Sequence, residues 1–206
     1  MTSIQKIPTK RARLGDKDVR EAVLSQVLRE HRRDPNVRVV EELGLENGAT
    51  RVDIAVINGF LHGYELKSES DNLLRLPHQV ESYGRCLDRV TIVVAAKHVQ
   101  PVLEIIPEWW GIKVASPRTR GGVQVETLRS LQNNPAPSLL HMARLLWREE
   151  VIALLQRAGA LPNELQGNRA TLYARLVEKM PSIELRRAIR ETVRCRENWR
   201  DYEPLL

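Results

Sequence analysis

The chain has 206 residues, of which 42% are hydrophobic, and it carries 32 basic and 26 acidic side chains. This hydrophobic content is enough for one packed core or two small ones, and no apolar run approaches the roughly 18 residues that a membrane span needs. The first residues lack the apolar segment of a secretion signal, and the two cysteines lie far apart in sequence. We therefore expect a cytoplasmic protein without a disulfide framework or a zinc site.

The net charge of +6 is unevenly distributed along the chain. Residues 1–13 contain four basic residues and no acid, residues 138–206 contain 12 basic and 9 acidic residues, and the segment between them has a net charge of −1. Ordinary solvated charge would account for this distribution. An excess of basic residues on both sides of a nearly neutral segment also suits a phosphate-rich partner such as DNA. We expect residues 1–15 to form a basic flexible tail.

The first 100 residues predict an alternation of helices and strands. An apolar stripe that includes Val19, Val23 and Val27 predicts a helix over residues 16–31. Asp71 is expected to cap a second helix. The remaining elements are a helix over 72–87, strands over 37–45, 50–57 and 61–68, and a short buried strand over 90–96.

The connection between the second and third strands contains Asn58-Gly59, a strong hairpin signal. A two-residue loop would place Asp53 opposite Tyr64 and turn Glu65 to the other face. A three-residue loop over residues 58–60 instead sets Asp53 opposite Glu65, and this is the register that we expect.

In that register Asp53, Glu65 and Lys67 lie close together on strands that are otherwise apolar. Buried charge is expensive unless it is paired or binds a metal ion. Two carboxylates and one ammonium group can hold a divalent cation and orient a water molecule for attack on phosphate.

The spacing of Asp53, Glu65 and Lys67 resembles that of the PD-(D/E)XK nuclease superfamily, whose core runs helix, three antiparallel strands, helix, strand. Gln79 and Tyr83 match the Q-x-x-x-Y form of the RecB-like branch, and on a helix they would share a face. Residues 41–117 are also similar to a family of small, mostly uncharacterised bacterial and phage proteins of this nuclease type. The shared features include the run RVDIAVINGFLHGYELKS and the later IPEWWG.

This resemblance implies an α/β fold with a restriction-endonuclease-like core over residues 16–130. It implies Mg²⁺ or Mn²⁺ bound by Asp53, Glu65 and the backbone carbonyl of Leu66. Lys67 would orient or help to deprotonate the attacking water, while Gln79 and Tyr83 would position the substrate strand or support the ligands.

A third acid is expected at such a site, and two candidates remain open. Glu42 would lie opposite Asp53 if the first two strands pair across residues 46–49, and we prefer it as a catalytic residue. Glu21 on the first helix is the alternative. Glu41 would point to the other face and be solvated.

The sequence predicts the beginning of another strand over residues 109–115, a partner strand over 123–126 and a linker over 131–137. A helical subdomain is expected over residues 138–206, and its last helix covers 182–199. Residues 154–176 weakly resemble SAP-like DNA-binding modules, in which Arg169 and Arg175 would contact phosphate. A plain helical cap on the core is the alternative.

The sequence thus predicts an Mg²⁺- or Mn²⁺-dependent deoxyribonuclease. The alternatives are a catalytically silent nuclease-fold protein that binds DNA or a protein, and a partner-dependent subunit of a DNA repair, restriction or anti-phage system. Besides DNA, the partners left open are another protein and a second copy of this chain.

Overall fold

The computed structural model describes residues 14–31, 33–119 and 121–197. Its described strands form one six-stranded sheet in chain order, in which β3–β4 and β4–β5 are parallel and the other neighbours are antiparallel. The strands are β1 (Arg38–Leu45), β2 (Thr50–Ile57), β3 (Leu61–Lys67), β4 (Arg89–Ala95), β5 (Gly111–Pro117) and β6 (Val123–Arg129). The protein therefore has the mixed α/β fold that the sequence predicts.

Helices cover both faces of this sheet. They are α1 (Asp16–His31), α2 (Leu76–Cys86), α3 (Val99–Ile105), α4 (Leu139–Ala143), α5 (Arg148–Arg157), α6 (Arg169–Lys179) and α7 (Ser182–Arg194). The order from α1 to β4 is helix, three strands, helix, strand, as expected. None of the described helices is both long enough and apolar enough to cross a membrane.

The sheet divides the core into two apolar clusters. On one face, Val19, Val23 and Val27 of α1 pack with strand residues such as Ile54 and Val56. The valine stripe that predicts α1 is thus its buried face.

The opposite face of the sheet carries the larger cluster, which includes α2 and the C-terminal helices. Residues such as Leu155, Leu172 and Ile189 belong to the same buried cluster as Val52 and Ile92 of the sheet. The helices after residue 138 therefore pack on the sheet and share its core.

Several element boundaries differ from the predicted ones. Helix α2 begins at Leu76 rather than at residue 72, with a proline in its first turn. The prediction that Asp71 caps this helix is wrong, because its carboxylate accepts hydrogen bonds from the backbone N–H and hydroxyl of Ser68 at 2.7 and 2.6 Å. Helix α7 ends at Arg194 rather than at residue 199.

The predicted basic tail lies mostly outside the described residues, since the structure describes nothing before residue 14. Of the two described members of that segment, Leu14 is buried at 6% exposure in the cluster around α1. Its backbone carbonyl accepts a hydrogen bond from Glu69 N at 3.3 Å. Leu14 therefore belongs to the packed core.

Candidate active site

The hairpin between β2 and β3 has the predicted three-residue loop. Ile57 pairs with Leu61, and the ladder continues to Ile54 and Tyr64. Asp53 lies one residue beyond the last pair, where its Oδ2 accepts a hydrogen bond from Leu66 N at 2.7 Å. The Asp53 carboxylate thus takes the place of a backbone partner at the point where the two strands separate.

Glu65 is the centre of a hydrogen-bonded cluster between β3 and α2. Its Oε1 accepts from Lys67 Nζ at 2.6 Å and from Gln79 Nε2 at 2.7 Å, and its Oε2 accepts from the Tyr83 hydroxyl at 2.6 Å. Lys67 also donates to Gln79 Oε1 at 3.1 Å. The structure therefore brings together four of the residues that the sequence singles out.

Burial and charge shift the acidity of these groups. Glu65 and Lys67 are only 2% and 4% exposed. Burial raises the pKa of Glu65, as does the charge of Asp53, while Lys67 opposes the shift. Burial also raises the pKa of Asp53, although the Leu66 N–H and the Arg20 charge oppose it. Lys67 is thus the nearby charge that offsets the desolvation of Glu65.

Arg20 of α1 is a member of the site that the sequence reasoning missed. Its Nη2 donates to Asp53 Oδ1 at 2.9 Å, and its Nη1 lies 3.1 Å from Glu42 Oε1 and 3.6 Å from Glu41 Oε2. Glu42 therefore approaches Asp53 through a shared guanidinium. Glu21 lies elsewhere on α1, with its side chain 66% exposed and 3.7 Å from Lys17.

The expectation that Glu41 points away from the site is wrong, because the backbone is irregular at Glu42. Glu42 has a positive φ of 54°, which is uncommon for a residue other than glycine. Val40 and Leu43 belong to the same buried cluster although they are three residues apart, so the two-residue alternation of β1 is broken between them. Both glutamates consequently reach Arg20. Such strained conformations concentrate at functional sites.

A polar cleft of about 660 Å³ lies at this place, and its lining includes Arg20, Glu42, Asp53, Glu65, Lys67 and Gln79. Its lining also includes Leu66, Asp71 and, from the segment before and within α2, Arg75 and His78. The cleft is large enough for part of a polar ligand, and it exposes carboxylate, ammonium and guanidinium groups at one place.

The oxygen donors of the cleft fit a hard divalent cation in kind. A carboxylate offers about four lone pairs. Asp53 accepts hydrogen bonds from two described residues and Glu65 from three, so the described contacts do not use every lone pair of either carboxylate. Within the described ranges, however, no group of three or more His, Cys, Asp or Glu side chains is arranged to hold a metal ion. Asp53 and Glu42 face Arg20 instead, and Glu65 faces Lys67.

Other residues of interest lie outside the cleft. Arg175 donates to the backbone carbonyls of Glu164 and Gln166 at 2.7 and 2.5 Å, and Arg169 is exposed in the first turn of α6. The structure does not bring either arginine to Asp53. His62 does not line the cleft, and its Nε2 lies 2.9 Å from Thr91 Oγ1.

Comparison with known proteins gives one structural and two sequence similarities. The structure of a protein of unknown function from Silicibacter pomeroyi is similar over 69% of this chain and 81% of that protein, at 20% sequence identity and a TM-score of 0.39. Protein cII of Enterobacteria phage P4 is 36% identical over 64 residues, which are 31% of this chain and 24% of that protein. The chain thus matches only about a quarter of that relative's length. The family model described as bacteriophage P4 protein cII matches residues 10–202, and the chain belongs to that family.

Proposed function

We propose that this protein is a metal-dependent nuclease of the PD-(D/E)XK type, with a restriction-endonuclease-like core, that hydrolyses phosphodiester bonds in DNA. The observation that carries the proposal is the pairing of buried Glu65 and Lys67 beside Asp53 in a polar cleft. The Q-x-x-x-Y side chains support it, because Gln79 and Tyr83 both hydrogen-bond to Glu65.

Asp53 and Glu65, with the carbonyl of Leu66, are the residues that would hold Mg²⁺ or Mn²⁺. When bound, such a cation polarises a phosphoryl oxygen and lowers the pKa of a water molecule. Gln79 and Tyr83 act as positioning residues, since their hydrogen bonds fix both oxygens of Glu65.

Lys67 supplies a directed positive charge. An ammonium group has three N–H donors, and the described partners Glu65 and Gln79 use two of them. The third is left for a water molecule or a phosphate oxygen in the cleft. An ammonium group so placed can orient the attacking water and stabilise charge that develops on the phosphate.

The charge pattern of the chain favours nucleic acid as the substrate. Arg75 and Lys67 both line the cleft, and the C-terminal residues 138–206 carry an excess of three positive charges. Phosphate contacts of this kind give affinity without reading sequence. DNA is the class of substrate that the nuclease resemblance implies.

The test is incubation of the full chain with single- and double-stranded DNA, linear and circular, with and without Mn²⁺. We expect cleavage only with the cation, and loss of cleavage in Glu65→Gln. Glu69→Gln is the matched control, because Glu69 does not line the cleft. Cleavage at equal rates by all three proteins, or in the absence of any divalent cation, would contradict the proposal.

A catalytically silent nuclease-fold protein, or one that needs a partner, is the second candidate function. The Arg20–Asp53 ion pair favours it, because a guanidinium already neutralises the carboxylate that a metal ion would use. Binding of DNA without cleavage under every condition of the same experiment would support this candidate.

A further inference from the structure

The Arg20 side chain is surrounded by acids. Its Nη2 lies 2.9 Å from Asp53 Oδ1, and its Nη1 lies 3.3 Å from the Asp53 backbone oxygen and 3.1 Å from Glu42 Oε1. Glu41 and Asp16 lie further away, at 3.6 and 3.8 Å. One guanidinium thus lies within 4 Å of four carboxylates and is their shared counter-charge.

The position of Arg20 is fixed by the fold. It lies on α1 next to Val19, which is fully buried against the sheet, and its own side chain is 22% exposed. Burial lowers the pKa of Arg20, but the charges of Asp53 and Glu42 outweigh that effect and raise it. Arg20 therefore remains charged and is held where a cation would be attracted.

We infer that Arg20 is a built-in counter-ion that must leave Asp53 before a divalent cation can bind there. The inference rests on the proposed function, which supplies the cation. Asp53 Oδ2 accepts a hydrogen bond from the Leu66 N–H, and Asp53 Oδ1 accepts one from Arg20, the only described side-chain partner of Asp53 Oδ1. Oδ1 is therefore the oxygen at which a cation would compete with Arg20. A divalent cation at Oδ1 and a guanidinium 2.9 Å from the same atom repel each other.

This exchange also explains why the described acids do not form a metal-binding group. Asp53 and Glu42 both face Arg20, whereas Glu65 faces Lys67. Removal of the guanidinium leaves Asp53 and Glu42 without the counter-charge that they share, which is an arrangement that attracts a cation.

The experiment compares wild type with Arg20→Gln and with Lys17→Gln by calorimetric titration with Mn²⁺. Lys17 is the matched control, because it lies on the same helix, is 86% exposed and pairs only with Glu21 among the described contacts. We expect Arg20→Gln to bind Mn²⁺ with a dissociation constant about tenfold lower, because only the wild type must break a charge-assisted hydrogen bond. Lys17→Gln should bind as wild type does.

Thermal melting gives a second readout that does not depend on activity. In EDTA, Arg20→Gln should melt below wild type, and Mn²⁺ should raise its melting temperature by more than that of wild type. If Arg20→Gln does not fold in EDTA, Arg20→Lys replaces it and should show a smaller gain in Mn²⁺ affinity.

The outcomes separate this inference from the proposed function. Mn²⁺ binding that requires Asp53 but is equally tight in wild type and the Arg20 variants would overturn the counter-ion inference alone. Absence of Mn²⁺ binding in every protein would overturn the metal-dependent function, and the inference with it. Mn²⁺ binding in Arg20→Gln but not in wild type would support the inference.

Discussion

The hydroxyl of Tyr83 offers a sharp test of the cluster around Glu65. It lies 2.6 Å from Glu65 Oε2 and 2.5 Å from the backbone oxygen of Arg51, so it links β2, β3 and α2. Tyr83→Phe removes the hydroxyl but keeps the ring, which stacks 5.8 Å from Trp110. The change therefore deletes hydrogen bonds at nearly constant packing.

A hydrogen bond to a charged group contributes about 1.5–3 kcal/mol, and a buried acceptor left without a donor costs a similar amount. Because the single hydroxyl proton serves Glu65 and Arg51 in turn, we expect Tyr83→Phe to lose about 2 kcal/mol of stability. This corresponds to a fall in melting temperature of roughly 4–8 °C for a chain of this size.

The assay is urea unfolding followed by circular dichroism, without divalent cations. Tyr64→Phe is the matched control, because Tyr64 is 5% exposed on the other face of β3, and its hydroxyl makes no hydrogen bond among the described contacts. A loss in Tyr83→Phe within about 0.5 kcal/mol of the loss in Tyr64→Phe would refute the reasoning, since that is the scatter of neutral substitutions.

Three further predictions concern the metal ion, pH and the C-terminal helices. Mn²⁺ should raise the melting temperature of wild type but not of Asp53→Asn, and an equal rise in both would remove Asp53 from the site. Burial lowers the pKa of His62 from 6.5 to about 3. Between about pH 3 and pH 6.5, His62 is therefore protonated in the unfolded state but neutral in the folded state. Stability should therefore fall as pH drops below about 6.5, by at most about 1.4 kcal/mol per unit, and less in His62→Gln; equal pH profiles would contradict this. If Arg169 contacts phosphate, Arg169→Ala should reduce the slope of DNA affinity against salt concentration by about one. Arg175→Ala should lower the stability of the fold, because Arg175 donates to backbone carbonyls. An unchanged slope in Arg169→Ala would favour a structural cap.

Much of the candidate site could be predicted from short-range sequence relations. The Asn58-Gly59 hairpin allows two registers, and the three-residue loop that we expected is the one that aligns Asp53 with Glu65. The four-residue spacing of Gln79 and Tyr83 places both on one face of α2. Each of these relations spans few residues or follows from a strict structural period.

Arg20 could not be predicted in the same way, because its partner Asp53 is 33 residues away. The contact depends on how α1 docks on the sheet, and the valine stripe predicts only which face is buried. The left-handed backbone of Glu42 was also unforeseeable, since no glycine or asparagine marks it. These two features together bring Glu41 and Glu42 to the guanidinium of Arg20.

For the C-terminal helices the sequence left two alternatives open, a DNA-binding module and a cap on the core, and the packing of these helices on the sheet agrees with the cap. Their apolar stripes indicate a buried face without indicating its partner, and only the structure shows that residues such as Leu155 share a cluster with the sheet. Arg175 illustrates the same limit, because a basic residue on an amphipathic helix can contact either phosphate or, as here, backbone carbonyls.

The central claim is that Lys67 acts on the reacting phosphate or water, and the rate of DNA cleavage with Mn²⁺ tests it most directly. Wild type, Lys67→Ala, Lys67→Arg and the exposed control Lys97→Ala should be compared at equal DNA occupancy, after melting curves show that each is folded. We expect cleavage by wild type and Lys97→Ala only. Alanine removes the charge, and a planar guanidinium cannot replace the compact ammonium of Lys67, a residue that is only 4% exposed. Cleavage by either folded Lys67 variant at the wild-type rate would contradict the account.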